Sequence, residues 1–182
     1  EGEDATAQTY IGVLGVSLSS IKQFYDEKYD RSNFIKNIIL DNILPGDIYL
    51  KARELHFNNE SSRVVLLIRL TEKNDVSVFD VVQSLFPDKT KDFVINISEQ
   101  DIVIVKEVAD DCTAEDLEAD AEALLRQAQN EYAAKIQVGI SSIAEKLKDL
   151  AKAYKEARVA LEVGKVFDIE RPVMSYENLG IG

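Results

Sequence analysis

Histidine and cysteine are almost absent from this chain of 182 residues, which has one of each, His56 and Cys112. A lone cysteine cannot close an internal disulfide, and without a Cys/His cluster no zinc-type metal site can be assembled. The usage fits a reducing, cytoplasmic setting. Basic residues are scarce too: 21 Lys and Arg stand against 33 Asp and Glu, for a formal charge of −12, and no Lys/Arg run interrupts that balance. Such a surface repels a phosphate backbone, so direct nucleic-acid binding by this segment is not expected. Long apolar runs are missing. Val64 to Ile68 and Ile102 to Val105 fall far short of the roughly 20 residues of a membrane helix. The start, Glu1-Gly2-Glu3-Asp4, lacks the basic and apolar regions of a secretory signal, so no membrane partner is expected. Residue 1 is not Met, and the segment is expected not to begin at a natural start codon. Glycine pairs are missing as well. Gly139 is single within a strand-like run, which reads as close backbone packing, since no second glycine follows at phosphate-loop spacing.

What is present is ample apolar content, 46 %, arranged in two periods. Ile11, Leu14, Leu18, Ile21 and Tyr25 recur at spacings of three and four, the a/d rhythm of a coiled coil. The stripe spans about two heptads where a coiled-coil assignment takes about three or four, so it fits either a helix–helix seam or a face docked on its own domain. Gly12 and Gly15 weaken the helix. A second amphipathic segment runs from Arg31 to Leu44, with Phe34, Ile35, Ile38, Ile39 and Ile43 on one side, Ser32 or Asn33 as its cap and Pro45-Gly46 as its stop. Asp47 is expected to cap a third helix carrying Ile48, Ala52 and Leu55, ending at Asn58-Asn59.

The period then turns strand-like. Arg63 to Leu70 is rich in β-branched residues, almost wholly apolar and bounded by polar turns, as a central strand buried on both faces would be. Asn74 or Asp75 is expected to cap a helix with Phe79, Val82, Leu85 and Phe86 inside, stopped by Pro87-Asp88. Phe93 to Ile97 and Ile102 to Val108 form an antiparallel hairpin across Ser98-Glu99-Gln100-Asp101. Thr113 and Asp116 make a variant capping box before a helix with Leu117, Ala121, Leu124, Leu125, Ala128 and Tyr132. A strand from Ile136 to Ser141, a helix from Leu147 to Val166 and a short strand from Val173 to Tyr176 follow. From Arg63 the order is β-α-β-β-α-β and then α-β, a ferredoxin-like split βαβ arrangement with an added unit. The fold class is α+β: an antiparallel sheet of four or five strands with helices over one face, of nucleotide-cyclase palm type, plus an N-terminal helical segment. Residues 1–58 are read as a helical linker and dimerisation segment, and 59–182 as the sheet domain.

The densest signal lies in three blocks: Val138-Gly139-Ile140-Ser141, Tyr154-Lys155-Glu156-Ala157-Arg158-Val159-Ala160-Leu161 and Tyr176-Glu177-Asn178-Leu179-Gly180. In the middle block Ala157, Ala160 and Leu161 share a helix face with Tyr154 one turn earlier, and the small side chains let that helix lie close against a sheet. With Phe34 to Leu44 and Lys51-Ala52-Arg53-Glu54-Leu55 before them, the blocks resemble the GGDEF-like central domain of the CdaR/PucR family of bacterial transcriptional regulators, which includes the sugar-diacid regulators. The resemblance implies a regulatory domain set between an N-terminal sensory region and a C-terminal helix-turn-helix. No recognisable helix-turn-helix follows Tyr176 to Gly182, so an excised central domain is expected, reaching DNA only through that missing part.

Diguanylate cyclases share this order of elements, and their chemistry needs a glycine hairpin and a metal-binding acid at the end of the first strand. The hairpin Ser98-Glu99-Gln100-Asp101 has no glycine, and Arg63 to Leu70 has no acid. Lys73-Asn74-Asp75 is similar to a nucleotide-contacting sequence of those enzymes, but helix capping accounts for it. His56 reads as a partly buried structural residue, Cys112 as a helix-entry position, and the acids from Glu115 to Glu122 as a solvated helix face. No catalytic, cofactor-binding or metal-ligating residue is assigned. The expectation is a non-enzymatic, homodimeric signal-transmitting domain without a cofactor. The other class left open is a degenerate palm that binds a nucleotide or small metabolite.

Overall fold

The computed structural model describes residues 2–72, 77–86, 91–167 and 171–180. In chain order the elements are α1 (Gly2–Ile39), α2 (Pro45–Glu54), β1 (Arg63–Leu70), α3 (Val78–Leu85), β2 (Phe93–Asn96), β3 (Asp101–Glu107), α4 (Ala114–Tyr132), β4 (Ile136–Ile140), α5 (Leu150–Val166, after a 3-10 turn at Leu147–Asp149) and β5 (Val173–Ser175), with a closing 3-10 turn at Glu177–Leu179. The sheet order is β2-β3-β1-β4-β5. β1 is antiparallel to both neighbours and β2 to β3, while β5 runs parallel to β4. The split βαβ order and the central place of β1 are as the strand pattern implies.

Helices cover both faces of the sheet, where one covered face was expected. β1 is apolar without a break from Val64 to Ile68 and β3 from Ile102 to Val105, so each face needs a cover. Val65, Leu67, Val103, Val105, Phe93 and Ile95 point to the side covered by α1, α2 and α5. Val64, Leu66, Ile68, Ile102, Ile104, Val138 and Ile140 point to the side covered by α3 and α4. The second cover comes from the N-terminal helices: Phe34, Ile35, Ile38, Ile39, Ile48 and Ala52 lie in the same cluster as the sheet residues. A division at 58/59 therefore runs through one core.

The first two expected helices are one helix of 38 residues. Nothing between Tyr25 and Ser32 breaks it, for the joining Asp-Glu-Lys-Tyr-Asp-Arg has neither Gly nor Pro. Ser32 and Asn33 are consequently interior, and the Asn37 amide donates to the Asn33 carbonyl at 2.9 Å. The helix stops at Asp41, in the left-handed region with φ 62°, where Asn42 N–H donates to Asn37 O at 2.9 Å and Asp41 N–H to Ile38 O at 3.0 Å. Its root is held by an aromatic stack: Phe57 lies 5.5 Å from both Phe34 and Phe93, and the Arg31 guanidinium sits 4.4 Å above Phe57. Residues 2–27 are all exposed, with Ile11, Leu14, Leu18, Ile21 and Tyr25 between 51 % and 68 % accessible. The apolar stripe does not dock on its own domain.

Local starts differ in detail. Leu44 precedes α2 and Pro45 takes its first turn, so Asp47 is inside the helix, where it complements the dipole without capping. Ser77 caps α3, accepting from Asp80 N–H. Asn74, Asp75 and the Pro87-Asp88 stop lie outside the described residues. The Thr113–Asp116 capping box is formed in full.

Gly139 of β4 sets how closely α5 can lie. A Cβ there would stand 2.3 Å from the carbonyl oxygen of Ala157 and 2.9 Å from Leu161, and a backbone atom cannot swing away. Gly139→Ala is expected to destabilise the domain by about 3 kcal/mol, the upper range for overpacking, measured by urea unfolding. Gly12→Ala, where nothing lies within 4 Å, serves as the neutral-to-stabilising control.

Candidate functional site

The three sequence blocks meet around β4. Gly139 backs onto Ala157, and Gly164 backs onto Met174, whose side chain would stand 3.1 Å from an added Cβ. Glu156, 6 % exposed on α5, accepts hydrogen bonds from the Ser142 N–H at 3.1 Å and from the Ser142 hydroxyl. The Ser141 hydroxyl accepts from Val65 N–H at 3.0 Å and donates to Ser142 O at 2.7 Å. Downstream, Tyr176 N–H donates to Ile140 O at 2.8 Å, and the Asn178 amide donates to Glu118 of α4. Each block thus supplies small residues or hydrogen bonds that bring α5, β4 and β5 together.

The end of β1 and the β2–β3 hairpin form the second constellation. The Ser98 hydroxyl accepts from Asp101 N–H at 3.0 Å and Gln100 N–H at 3.3 Å, and Ile97 N–H returns to Asp101 O at 3.0 Å, which locks the turn without glycine. Arg69 reaches across it. Its guanidinium donates to both Asp101 oxygens, at 2.8 and 3.1 Å, and to Glu162 of α5 at 2.7 Å. These hydrogen bonds, Asp101's foremost, hold Arg69 firmly protonated against the opposing effect of burial. The bond from Arg69 also holds the Glu162 carboxyl below its ordinary range. Tyr154 lies beside them, its phenol pushed up by burial, with the Arg158 guanidinium 5.9 Å over its ring. Chemically this is a charge-neutralising clamp: both Asp101 oxygens are engaged by a fixed cation. Among the described residues no three His, Cys, Asp or Glu gather as a metal site. Lys73-Asn74-Asp75 lies outside the described residues.

His56 is exposed, not partly buried, and sits at φ 56° just past α2, where Phe57 N–H donates to Ala52 O at 2.9 Å. It ends the helix. The Cys112 thiol is pushed up by burial and by Asp116, the reverse of activation at a helix start. Of the acids of α4, Glu115, Asp116, Asp120 and Glu122 are exposed and Glu118 is half-buried; Asp120 pairs with Lys106, Glu118 with Asn178, and Glu122 with Arg126. Between α4 and β5 runs an open cleft of about 660 Å³, floored by Leu125, Val173 and Met174 and edged by Glu118, Arg126 and Arg171. Sequence reasoning missed the Arg69–Asp101–Glu162 clamp and the buried Glu156. The signals were a charged residue at the end of an apolar strand, and an acid between Ala153 and Ala157 on a buried helix face.

Replacing Arg69 by Met leaves Asp101 and Glu162 without their cation. The variant should lose about 1–2 kcal/mol at pH 7, a figure held low because Glu162 is half exposed. Because Arg69 depresses the Glu162 pKa in the folded chain, the wild-type advantage is full above the ordinary carboxylate range and fades as pH falls through the depressed value. Urea unfolding of both proteins from pH 7 to pH 3 measures this, and a gap that widens in acid contradicts the clamp.

The family comparison covers the same region. The model of the GGDEF-like domain matches residues 41–163, about two thirds of the chain. No curated protein matches the chain. Among the described residues no helix is long and apolar enough to cross a membrane. With a βαββαβ sheet, a β1–hairpin end and α5 laid on β4 within the matched span, the chain belongs to the GGDEF-like domain family.

Proposed function

We propose that this domain is a non-enzymatic, signal-transmitting module of a cytoplasmic bacterial transcriptional regulator resembling the CdaR/PucR type. It acts as a homodimer and reaches DNA only through a helix-turn-helix outside this sequence. The observation that carries the reading is α1: one unbroken helix, clamped at its root by Phe34, Phe57 and Phe93 and bare along its apolar stem. An isolated helix carrying Gly12, Gly15 and several β-branched residues is marginal in water, so a second stem is its natural cover. A rigid rod seated in the core moves with the core, which suits it to pass a signal. The non-enzymatic part is supported at the hairpin, where Arg69 engages the Asp101 carboxylate and no glycine opens the turn. The charge of −12 agrees with a part that does not touch DNA. The cleft between α4 and β5 favours a second reading, a sensor of a nucleotide or small metabolite, whose identity the lining does not name.

Sedimentation of the wild type should show a dimer, and Leu14→Glu with Leu18→Glu should give a folded monomer by circular dichroism. Neither protein should form a cyclic product from GTP or ATP with Mg²⁺ or Mn²⁺. A wild-type monomer contradicts the dimer. Turnover that exceeds that of a Glu99→Ala, Asp101→Ala variant contradicts the non-enzymatic assignment.

A further inference from the structure

Resting on the homodimer reading above, we propose that the two α1 stems associate in antiparallel orientation, so that the two sheet domains stand at opposite ends of the rod. The heptad of the exposed stripe extends beyond its apolar centre. Its a positions are Asp4, Ile11, Leu18 and Tyr25, and its d positions Ala7, Leu14, Ile21 and Lys28. In a parallel pair each residue meets its own copy: Asp4 meets Asp4, Lys28 meets Lys28, the two Tyr25 rings crowd and the two Ala7 leave a gap. Both ends repel and the bulk is uneven. In an antiparallel pair a positions face d positions. Asp4 then meets Lys28, Ala7 meets Tyr25, Ile11 meets Ile21 and Leu14 meets Leu18, and two-fold symmetry repeats every layer. Opposite charges close both ends, and the smallest side chain lies against the largest. On the flank, Tyr10 comes beside Phe24 of the second copy, and the Ser17 pair falls at the centre. Lys28 makes no ion pair within its own chain among the described residues.

The root of the helix argues the same way. The a/d face drifts by only about 20° per heptad along a straight helix, so Ile35 and Ile39 lie on the side of the stem stripe, and there they are 0 % and 1 % exposed in their own domain. Lys28 and Ser32 already border Phe93 and Val94 of the sheet. Parallel stems would bring both domains into the seam at the same level and force the helices apart. Antiparallel stems place each domain just past the far end of the other stem, and the Asp4-to-Lys28 seam of about 36 Å is used in full.

Disulfide trapping in a Cys112→Ser background distinguishes the two. In the antiparallel pair Ala7 lies opposite Tyr25, while the two Ala7 are separated by about 27 Å, well beyond the roughly 7 Å limit for a disulfide. Ala7→Cys alone should remain uncrosslinked under mild oxidation. Mixed after co-refolding with Tyr25→Cys, it should give a covalent dimer joining the two variants. Lys28→Glu should weaken association roughly tenfold at low salt, and Asp4→Lys in the same chain should restore it. Rapid crosslinking of Ala7→Cys to itself, or a Lys28→Glu variant that associates as the wild type does, overturns the antiparallel arrangement while leaving the dimer standing. A wild-type monomer in sedimentation instead removes the dimer reading on which the arrangement rests.

Discussion

The contact between the Gly139 backbone and the Ala157 carbonyl fixes the distance between α5 and the sheet, and the rest of the domain is arranged around that distance. With α5 this close, Glu156 can reach the Ser142 backbone, Glu162 can reach Arg69 at the far end of β1, and Gly164 can accept the Met174 side chain. Three separate sequence blocks thereby become one structural unit. β5 is parallel to β4 because α5 makes the crossover between them.

The same helix helps to seat α1. Leu150, Ala153, Tyr154, Ala157 and Leu161 share a cluster with Phe34, Ile35, Ile38 and Ile39, so the face of the sheet that α5 leaves open is closed by the root of α1 and by α2. A rod of 38 residues whose last nine, Arg31 to Ile39, are seated in a core behaves mechanically as part of that core. Its bare stem is then an addressable handle. The Arg69–Asp101–Glu162 clamp ties β1, the hairpin and α5 together with charge.

Much of this was legible in the sequence, for reasons that can be named. α4 carries a clear helical period and a full capping box, the strands stand out as short apolar runs between turns, and the Thr113–Asp116 box and the lone Gly139 each have one physical use, which is the use they have. The join between the two N-terminal helices was hidden because the polar stretch Asp26 to Arg31 interrupts the apolar stripe, although nothing in it breaks a helix. One covered face was expected because the residues that supply the second cover, Phe34 to Ile39, Ile48 and Ala52, lie in the stretch read as a separate helical segment. Long-range pairs were beyond reach. The partners of Arg69 lie 32 and 93 residues away. Arg63, 2 % exposed, is held by the Ser61 and Asn58 carbonyls of a loop that no periodicity describes.

α1 is a single helix running from a buried root into an exposed stem, and we propose that a second copy covers that stem. Hydrogen–deuterium exchange of the wild-type chain at high and low protein concentration tests it most directly. Stem amides between Thr6 and Glu27 are expected to be protected when the protein is concentrated and to lose that protection on dilution, while those of Phe34 to Ile39 stay protected throughout. Stem amides that exchange at the rate of an unfolded chain at every concentration would contradict it.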